Sequence, residues 1–85
     1  METVSFGRTG LKVSKLCFGT MGVGSSQWKP WVLDEADSQP LLEKCLDLGI
    51  TFFDMADWYS FGVSERVVGS TLHSMVPRDQ LVFAT

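Results

Sequence analysis

Apolar and polar positions alternate along the first thirteen residues, and this alternation predicts a β-hairpin. Val4 and Phe6 lie two residues apart before a turn bounded by glycines, and Leu11 and Val13 lie two residues apart after it. A period of two places successive apolar side chains on one face of a strand. The apolar run Lys15–Gly19 then predicts a further short strand that ends at a glycine.

Apolar residues recur at helical spacing in two later segments, which predict two helices. In the first, Asp34 is a suitable N-cap, and Gly49 stands where a C-cap glycine belongs. Pro40 falls inside this segment, so we expect the helix to start late or to bend there. The second helix is expected to be capped by Ser64 and to end before Pro77. The apolar positions of the two helices are Leu41, Leu42, Cys45, Leu46 and Leu48, then Val67, Val68, Leu72 and Met75.

Two short apolar runs, Ile50–Asp54 and Leu81–Ala84, follow these helices and predict buried strands, the first of them buried on both faces. Strands that alternate with helices form a parallel sheet through right-handed crossovers, and the order here is hairpin, β, α, β, α, β. A doubly wound sheet and a closed barrel both fit this α/β order. A hairpin before the first strand suits the floor of a barrel, so we expect residues 1–85 to form one partial (β/α)8 barrel domain.

Composition narrows the classes of function. The chain has 85 residues, enough for one domain at most, and its net charge of −3 without a basic cluster argues against nucleic-acid binding. No apolar stretch approaches the roughly 20 residues of a membrane span, and residues 1–10 lack a signal-peptide core, so we expect a cytoplasmic protein. Cys17 and Cys45 lie in apolar runs without metal-ligand spacing, and we expect two buried, reduced thiols and no metal site.

The glycine-rich loop between residues 19 and 33 lacks the defining residues of a nucleotide-binding motif. Gly22-Val23-Gly24 begins like a dinucleotide fingerprint, but Gln27 occupies the position of the third glycine. The phosphate-loop spacing that starts at Gly19 fails as well, because Ser25–Ser26 replaces the required Lys–Ser/Thr pair. A plain turn is therefore the better interpretation of these glycines.

The run FFDMADWYS is the most informative segment. Asp54 ends a predicted strand, and Tyr59 lies five residues later in a loop. Reacting groups of β/α folds gather at this end of the sheet. A tyrosine holds its proton at neutral pH, since its unperturbed pKa is about 10, and a cation held nearby by a carboxylate lowers that pKa. A tyrosine, a lysine and an aspartate can thus protonate a developing alkoxide. The residues alone leave a second interpretation open, in which Asp54 caps a turn and Tyr59 is only a loop aromatic.

Other side chains expected at the same end of the sheet allow further interpretations. Asp57 and Glu65 could join Asp54 in acid-catalysed glycoside hydrolysis or in binding a hard metal ion, although such carboxylates are common on solvated loops. Three loop tryptophans either wall a pocket for an apolar substrate or pack the loops on each other. These tryptophans are Trp28, Trp31 and Trp58.

Three segments resemble the N-terminal part of the aldo-keto reductases, and together they span nearly the whole chain. They are GRTGLKVSKLCFGTMGVG, DEADSQPLLEKCLDLGITFFDMADWYSFGVSERVVGSTL and RDQLVFAT. The D-x-A-D-x-Y run followed by G-x-S-E-x-x-x-G is specific for that family. The resemblance implies an eight-stranded TIM barrel that reduces aldehydes or ketones with NADPH bound over the mouth of the barrel.

The resemblance also implies roles for individual residues. Tyr59 matches the tyrosine that protonates the carbonyl oxygen, and Asp54 matches the aspartate that pairs with an activating lysine. The strand-end residues expected near the nicotinamide and its ribose are Gly19, Thr20 and Met21, with Asp54 at the same rim. The substrate pocket is expected to include Trp28, Trp31 and Trp58.

Part of the family's machinery is not among residues 1–85. The family's lysine directly follows the third strand, after a run similar to LVFAT, and its histidine follows the next strand. Most of the family's residues that bind the adenosine phosphates of the cofactor come from later strands still. We therefore expect the N-terminal fragment of an NADP-dependent reductase of small carbonyl compounds, inactive by itself. The alternative is a short, non-catalytic protein that pairs through its open sheet edge, with a partner or with itself.

Overall fold

The computed structural model describes residues 2–85 and begins with the predicted hairpin. Strand β1 (Thr3–Ser5) pairs antiparallel with β2 (Lys12–Ser14), and Val4 lies opposite Val13. The N–H of Phe6 donates to the carbonyl of Leu11 at 2.8 Å and closes the turn between the strands. The alternating pattern of the first thirteen residues therefore predicted the hairpin correctly.

A three-stranded parallel sheet follows, and two helices connect its strands. Strand β3 (Cys17–Gly19) lies beside β4 (Phe52–Asp54), which lies beside β5 (Val82–Ala84). Helix α1 (Glu35–Asp47) joins β3 to β4, and helix α2 (Val63–His73) joins β4 to β5. The predicted order of strands and helices is confirmed.

The hydrophobic core lies between the helices and one face of this sheet. Phe53 is fully buried at the centre, and its ring lies 6.2 Å from those of Phe18 on β3 and Phe83 on β5. Apolar side chains of both helices cover this aromatic row, and burying each large one contributes about 1.5–3 kcal/mol. The helix residues buried in the core are Leu42, Cys45, Val67, Val68 and Leu72.

The opposite face of the sheet is open. Successive side chains of a strand point to opposite faces, so Phe52 and Asp54 point away from the helices. Phe52 is half-buried and Asp54 is exposed, and the predicted burial of this strand on both faces is therefore wrong for residues 2–85. In a closed barrel this face would line the interior.

The hairpin packs at the end of the sheet remote from Asp54. The Phe6 ring lies 5.8 Å from the ring of Phe52, edge to face. Ser14 Oγ accepts the N–H of Thr51 at 3.1 Å and donates to the carbonyl of Leu16 at 2.7 Å. The hairpin thus sits at the amino ends of β3 and β4, as expected for the floor of a barrel.

Local details of the helices differ from the sequence predictions. Helix α1 begins directly after Asp34 despite Pro40, so the proline does not delay its start. Ser64 does not cap α2. Gly62 takes that position with a φ of 92°, which glycine adopts without strain, and Ser64 is buried inside the first turn.

The two cysteines have different surroundings. Both are free thiols, and Cys45 is buried in the core as expected, which raises the pKa of its thiol. Cys17 is exposed, so its predicted burial is wrong. It lies on the open face, where partial desolvation and then the charge of Asp54 raise the pKa of the Cys17 thiol.

Candidate active site

The carboxyl ends of the three parallel strands form one continuous edge. Gly19 lies level with Asp54, and Asp54 lies level with Ala84. The carbonyl of Asp54 accepts hydrogen bonds from the N–H of Thr20 at 3.0 Å and from its Oγ1 at 2.9 Å. On the other side, the N–H of Met55 donates to the carbonyl of Ala84 at 2.7 Å. The loops that leave β3 and β4 therefore start from a fixed, shared edge.

Asp54 presents an exposed carboxylate at this edge, on the open face of the sheet. Its charge acts on the Cys17 thiol two positions back on the neighbouring strand. Within residues 2–85, the one ion pair closer than 4.0 Å joins Lys15 to Glu2, so Asp54 is not engaged with a cation there. The carboxylate is available to hold a positively charged group.

Tyr59 begins a tight 3-10 turn in the segment 55–62, which we call the tyrosine loop. Its N–H donates to the carbonyl of Ala56 at 3.3 Å, and its side chain is half-buried. Ser60 and Phe61 follow with left-handed φ values of 51° and 52°. For residues other than glycine this conformation costs about 1–2 kcal/mol each, so surrounding contacts must hold the turn in place.

An aromatic cluster joins the tyrosine loop to the segment 20–34, which we call the tryptophan loop. Trp28 is its centre and is half-buried. The rings around Trp28 are those of Trp58 at 5.1 Å, Trp31 and Phe61 at 6.3 Å and Tyr59 at 6.4 Å. The outer rings stay accessible, with Trp31 and Trp58 56% and 57% exposed and Phe61 76% exposed. The rings therefore pack the loops on each other, as one interpretation of the tryptophans expects, and their role as the wall of a substrate pocket stays a prediction.

A pocket of about 340 Å³ opens beside this cluster. Its lining residues are Ser25, Gln27, Trp28, Ser60, Phe61 and Val63. Phe61 was not predicted at the site, although an aromatic residue three positions after Trp58 in the same loop is a usable signal. Ser25 and Ser60 were not predicted to line the pocket either, because their contact joins segments 35 residues apart.

Three buried hydroxyl groups connect the loops at this end of the sheet, a role that no sequence motif indicates. Thr20 is fully buried and bonds to Asp54 as described above. Ser64 Oγ donates to the carbonyl of Thr20 at 2.9 Å. Ser60 Oγ accepts the N–H of Ser25 at 3.1 Å. These bonds link β3, the start of α2 and both loops around the candidate site.

The residues expected near a cofactor differ in what they expose. Gly19 is exposed, and a Cβ atom there would meet nothing within 4 Å, so the rim above β3 has room for a ligand. Met21 is 39% exposed. Thr20 has no free hydroxyl, because its side chain is committed to the Asp54 carbonyl. Gly19 and Met21 are thus accessible at the rim, while Thr20 holds the strand ends together.

The tryptophan loop is held in place by its own hydrogen bonds. Val23 and Leu33 form a short bridge, in which Leu33 N–H donates to Gly22 and Gly24 N–H donates to Leu33, both at 2.9 Å. Asp34 occupies the N-cap position of α1, but its carboxylate does not cap the helix. It accepts both the N–H and the Oγ of Ser26 at 2.7 Å instead. These two hydrogen bonds lower the pKa of the Asp34 carboxyl.

Because the pKa of Asp34 is lowered in the folded chain, we expect this residue to make a pH-dependent contribution to the free energy of unfolding. A carboxyl whose pKa is lower in the folded state stabilises it above the unfolded pKa of about 3.9, and loses this effect as pH falls through the folded pKa. Thermal unfolding should show Asp34→Asn less stable than the wild type at neutral pH, with the difference narrowing in acid. Asp47→Asn, at the exposed end of α1, should show no such narrowing. A constant difference across pH would contradict the role of the Ser26 bonds.

Residues 2–85 contain neither a candidate metal-binding cluster nor a helix suited to span a membrane. No group of three or more His, Cys, Asp or Glu side chains in this part of the chain is arranged to hold a metal ion. None of the helices in the same residues is long and apolar enough to cross a membrane. The carboxylate of Glu65 accepts a hydrogen bond from the Thr85 hydroxyl at 2.7 Å.

Comparison with known proteins identifies relatives along nearly the whole chain. The model of the aldo/keto reductase family matches residues 15–85. Versiconal hemiacetal acetate reductase of Aspergillus parasiticus is 46% identical over 86 residues, covering 100% of this chain and 25% of that protein. Aldo-keto reductase YhdN of Bacillus subtilis is 38% identical over 85 residues, again covering 100% of this chain and 25% of the relative. The chain thus spans about a quarter of the length of these relatives.

A solved structure supports the same relationship in three dimensions. The thermostable aldo-keto reductase Tm1743, crystallised with the inhibitor epalrestat, superposes with a TM-score of 0.77 at 26% identity. The match covers 98% of this chain and 30% of that one, so residues 2–85 have the fold of part of a TIM barrel. The expected fold class is confirmed. From its sequence and its structure alike, the chain belongs to the aldo/keto reductase family.

Proposed function

We propose that the chain supplies the N-terminal part of an NADPH-dependent reductase of aldehydes or ketones. In this proposal Tyr59 is the proton donor, and Asp54 orients the cation that activates it. The observation that carries the proposal is that Asp54 ends a strand and Tyr59 lies in the loop that leaves the same strand. Asp54 ends β4 with an exposed carboxylate, and Tyr59 lies in the ordered loop that follows.

Reduction of a carbonyl group requires a proton on the oxygen as negative charge develops there. A positioned general acid contributes about 10²–10⁴ to such a rate. The phenol of Tyr59 is a suitable donor when a cation lies beside it, because the cation stabilises the phenolate left after proton transfer. The free carboxylate of Asp54 would hold that cation in place.

The register of the sheet supports a lysine as the cation. Ala84 lies level with Asp54 on the neighbouring strand, and the two strands are joined there by the bond from Met55 to Ala84. Neighbouring strands lie about 4.8 Å apart, so a lysine that directly follows β5 starts within reach of Asp54. The resemblance to the family implies a lysine at that point, beyond Thr85.

The cofactor and the substrate would approach the same mouth of the barrel. NADPH supplies the hydride when it is bound, and Gly19, Met21 and Asp54 would border its nicotinamide. The aromatic cluster supports an apolar or aromatic carbonyl substrate, since the rings of Trp28 and Phe61 line the pocket. The exposed rings of Trp31 and Trp58 lie against Trp28 and extend this apolar surface outside the pocket. We assign substrate contact to the rings of Trp28, Trp31 and Trp58.

A fusion protein provides the test. Residues 1–85 are joined to the part of versiconal hemiacetal acetate reductase that follows the matched region, and we call this protein the reassembled reductase. It should oxidise NADPH in the presence of an aromatic aldehyde, because it restores the lysine and the rest of the barrel. The 85-residue chain by itself should show no turnover. The intact relative and its truncated remainder are the positive and negative controls. A folded but inactive reassembled reductase would contradict the proposal, as would turnover by the isolated chain.

A second candidate function is pairing through the sheet edges without catalysis. It is favoured by one observation, that β3 and β5 each pair on one side only within residues 2–85. Such edges recruit further strands. Size-exclusion chromatography with light scattering on the 85-residue chain separates the cases. A monomer that unfolds cooperatively argues against edge pairing, and a discrete, soluble assembly of defined size supports it.

A further inference from the structure

Ser60 and Gly24 meet more closely than any side chain at position 24 would allow. A Cβ atom placed on Gly24 would lie 2.5 Å from Ser60 Oγ and 2.8 Å from Ser60 Cβ. It would also lie 3.2 Å from the backbone nitrogen of Ser64. Gly24 and Ser60 are both buried, so neither chain segment can move aside into solvent. The glycine therefore lets the tryptophan loop lie directly against the turn that contains Tyr59.

The Ser60 hydroxyl bonds the two loops at this contact. It accepts the N–H of Ser25 at 3.1 Å. This bond is the one side-chain hydrogen bond between the tryptophan loop and the tyrosine loop in residues 2–85. Beyond the bond from Met55 to Ala84 at its start, the tyrosine loop has local backbone hydrogen bonds, from Tyr59 to Ala56 and from Phe61 to Trp58. The position of the turn relative to the sheet edge thus depends on what Ser60 and Phe61 contact.

The backbone at this point would not keep its shape unaided. Ser60 and Phe61 are consecutive non-glycine residues with left-handed φ and ψ values. Strain of this kind persists where surrounding structure over-determines it, and it is concentrated at functional sites. The contacts available to hold it are the hydrogen bond and burial of Ser60 and the packing of Phe61 against Trp28. Of these, the Ser60 contact is buried and the Phe61 ring is mostly exposed.

We infer that Ser60 is a positioning residue for Tyr59. Its hydroxyl, seated against the Gly24–Ser25 peptide, fixes the strained turn and with it the direction of the phenol over the ends of β3 and β4. Ser60 does not touch the reacting atoms. The inference rests on the proposed role of Tyr59 as proton donor, and it assigns to the tryptophan loop a part in the chemical step as well as in substrate binding.

The first test removes the hydroxyl. In the reassembled reductase, Ser60→Ala should lower kcat by roughly tenfold or more, because a displacement of about 1 Å at a reacting group can cost up to a hundredfold. KM for NADPH should stay within about twofold, since the cofactor rim lies on other residues. The solvent deuterium isotope effect on kcat should increase as proton transfer becomes slower. Ser70→Ala, the same change at an exposed position on α2, is the matched control and should alter none of these values.

Hydrogen exchange gives a readout that does not depend on activity. The N–H of Ser25 is the donor to Ser60 Oγ, so its peptide should exchange faster in Ser60→Ala than in the wild type. In Ser70→Ala the exchange of that peptide should be unchanged. This measurement shows whether the bond forms even where a variant has lost catalysis.

The second test uses the close contact between the two residues. Gly24→Ala alone should lower kcat strongly, because the new methyl group collides with Ser60. In a Ser60→Gly background both colliding atoms of Ser60 are gone, and the same substitution should cost about tenfold less, as expected for residues in direct contact. What remains is the strain of an alanine at a φ of 152° and the 3.2 Å approach to Ser64.

The outcomes separate this inference from the proposed function. An inactive, folded reassembled reductase without substitutions counts against the proposed function. If that protein is active and Ser60→Ala keeps its kcat and isotope effect, the positioning role of Ser60 is wrong. The positioning role would also be overturned if Ser60→Ala lowered both kcat and thermal stability but left the solvent deuterium isotope effect unchanged. A serine with a purely structural role would behave in that way. Additive effects of Gly24→Ala and Ser60→Gly would reject the contact as the cause.

Discussion

Tyr59→Phe in the reassembled reductase should lower kcat by about 10²–10⁴, the range for loss of a positioned general acid. The substitution removes one hydroxyl group and keeps the ring. The packing of that ring against Trp28, at a centroid distance of 6.4 Å, should therefore persist. Binding of NADPH, measured by calorimetry, should remain within about twofold of the wild type, because the change removes only an interaction made in the transition state.

Asp57→Asn is the control for this experiment, two residues away in the same loop. Asp57 is exposed, and its conversion to an amide removes a charge without changing the size of the side chain. We expect kcat to stay near the wild-type value. Near-normal turnover in Tyr59→Phe would contradict the assignment of the proton donor. Complete loss in Asp57→Asn would favour the interpretation in which loop carboxylates act as the acids.

Phe53→Ala should destabilise the reassembled reductase by about 3–5 kcal/mol, the usual cost of truncating a buried phenylalanine. Phe53 has no exposed surface and lies between Phe18 and Phe83 under both helices. Its removal leaves a cavity in the middle of β4, one position before Asp54. The midpoint of urea denaturation should fall accordingly, and kcat of the remaining folded enzyme should fall as well.

Phe61→Ala is the matched control for stability, because the same atoms are removed from a side chain that is 76% exposed. We expect a loss of less than about 1 kcal/mol, as for surface positions in general. A similar loss at both positions would show that the contact of Phe61 with Trp28 stabilises the protein as much as the core does. A small loss at Phe53 would contradict the described core.

The sequence predicted the fold well because the determining signals are local. Alternation in the hairpin, helical spacing in α1 and α2 and short apolar runs between them all act within a few residues. A late start of α1 at Pro40 was wrong, because the packing of Leu42 and Cys45 outweighs the loss of one N–H donor. Cys17 was misjudged because an apolar run does not show which side of a sheet the helices will cover.

The site was predictable in part. Asp54 and Tyr59 follow from the position of a strand end, which the sequence shows. The contact of Ser60 with Gly24 does not, because it joins segments about 35 residues apart and depends on a left-handed turn at a serine. No residue pattern marks left-handed backbone at Ser60 and Phe61, which precede the one glycine of the turn, Gly62. For the same reason Ser64 was taken for a helix cap, whereas its hydroxyl bonds to Thr20 across the sheet edge.

The aromatic cluster around Trp28 also determines how this chain responds to light. The chain has three tryptophans and one tyrosine, and all four rings belong to that cluster. The core between the sheet and the helices holds phenylalanine as its only aromatic side chain among residues 2–85. Ultraviolet excitation of these residues is therefore absorbed almost entirely at the candidate site, and their fluorescence reports on the loops around Tyr59. The fluorescence would therefore change when the loops move or a ligand binds at the site, and it would respond little to changes in the packing of the core.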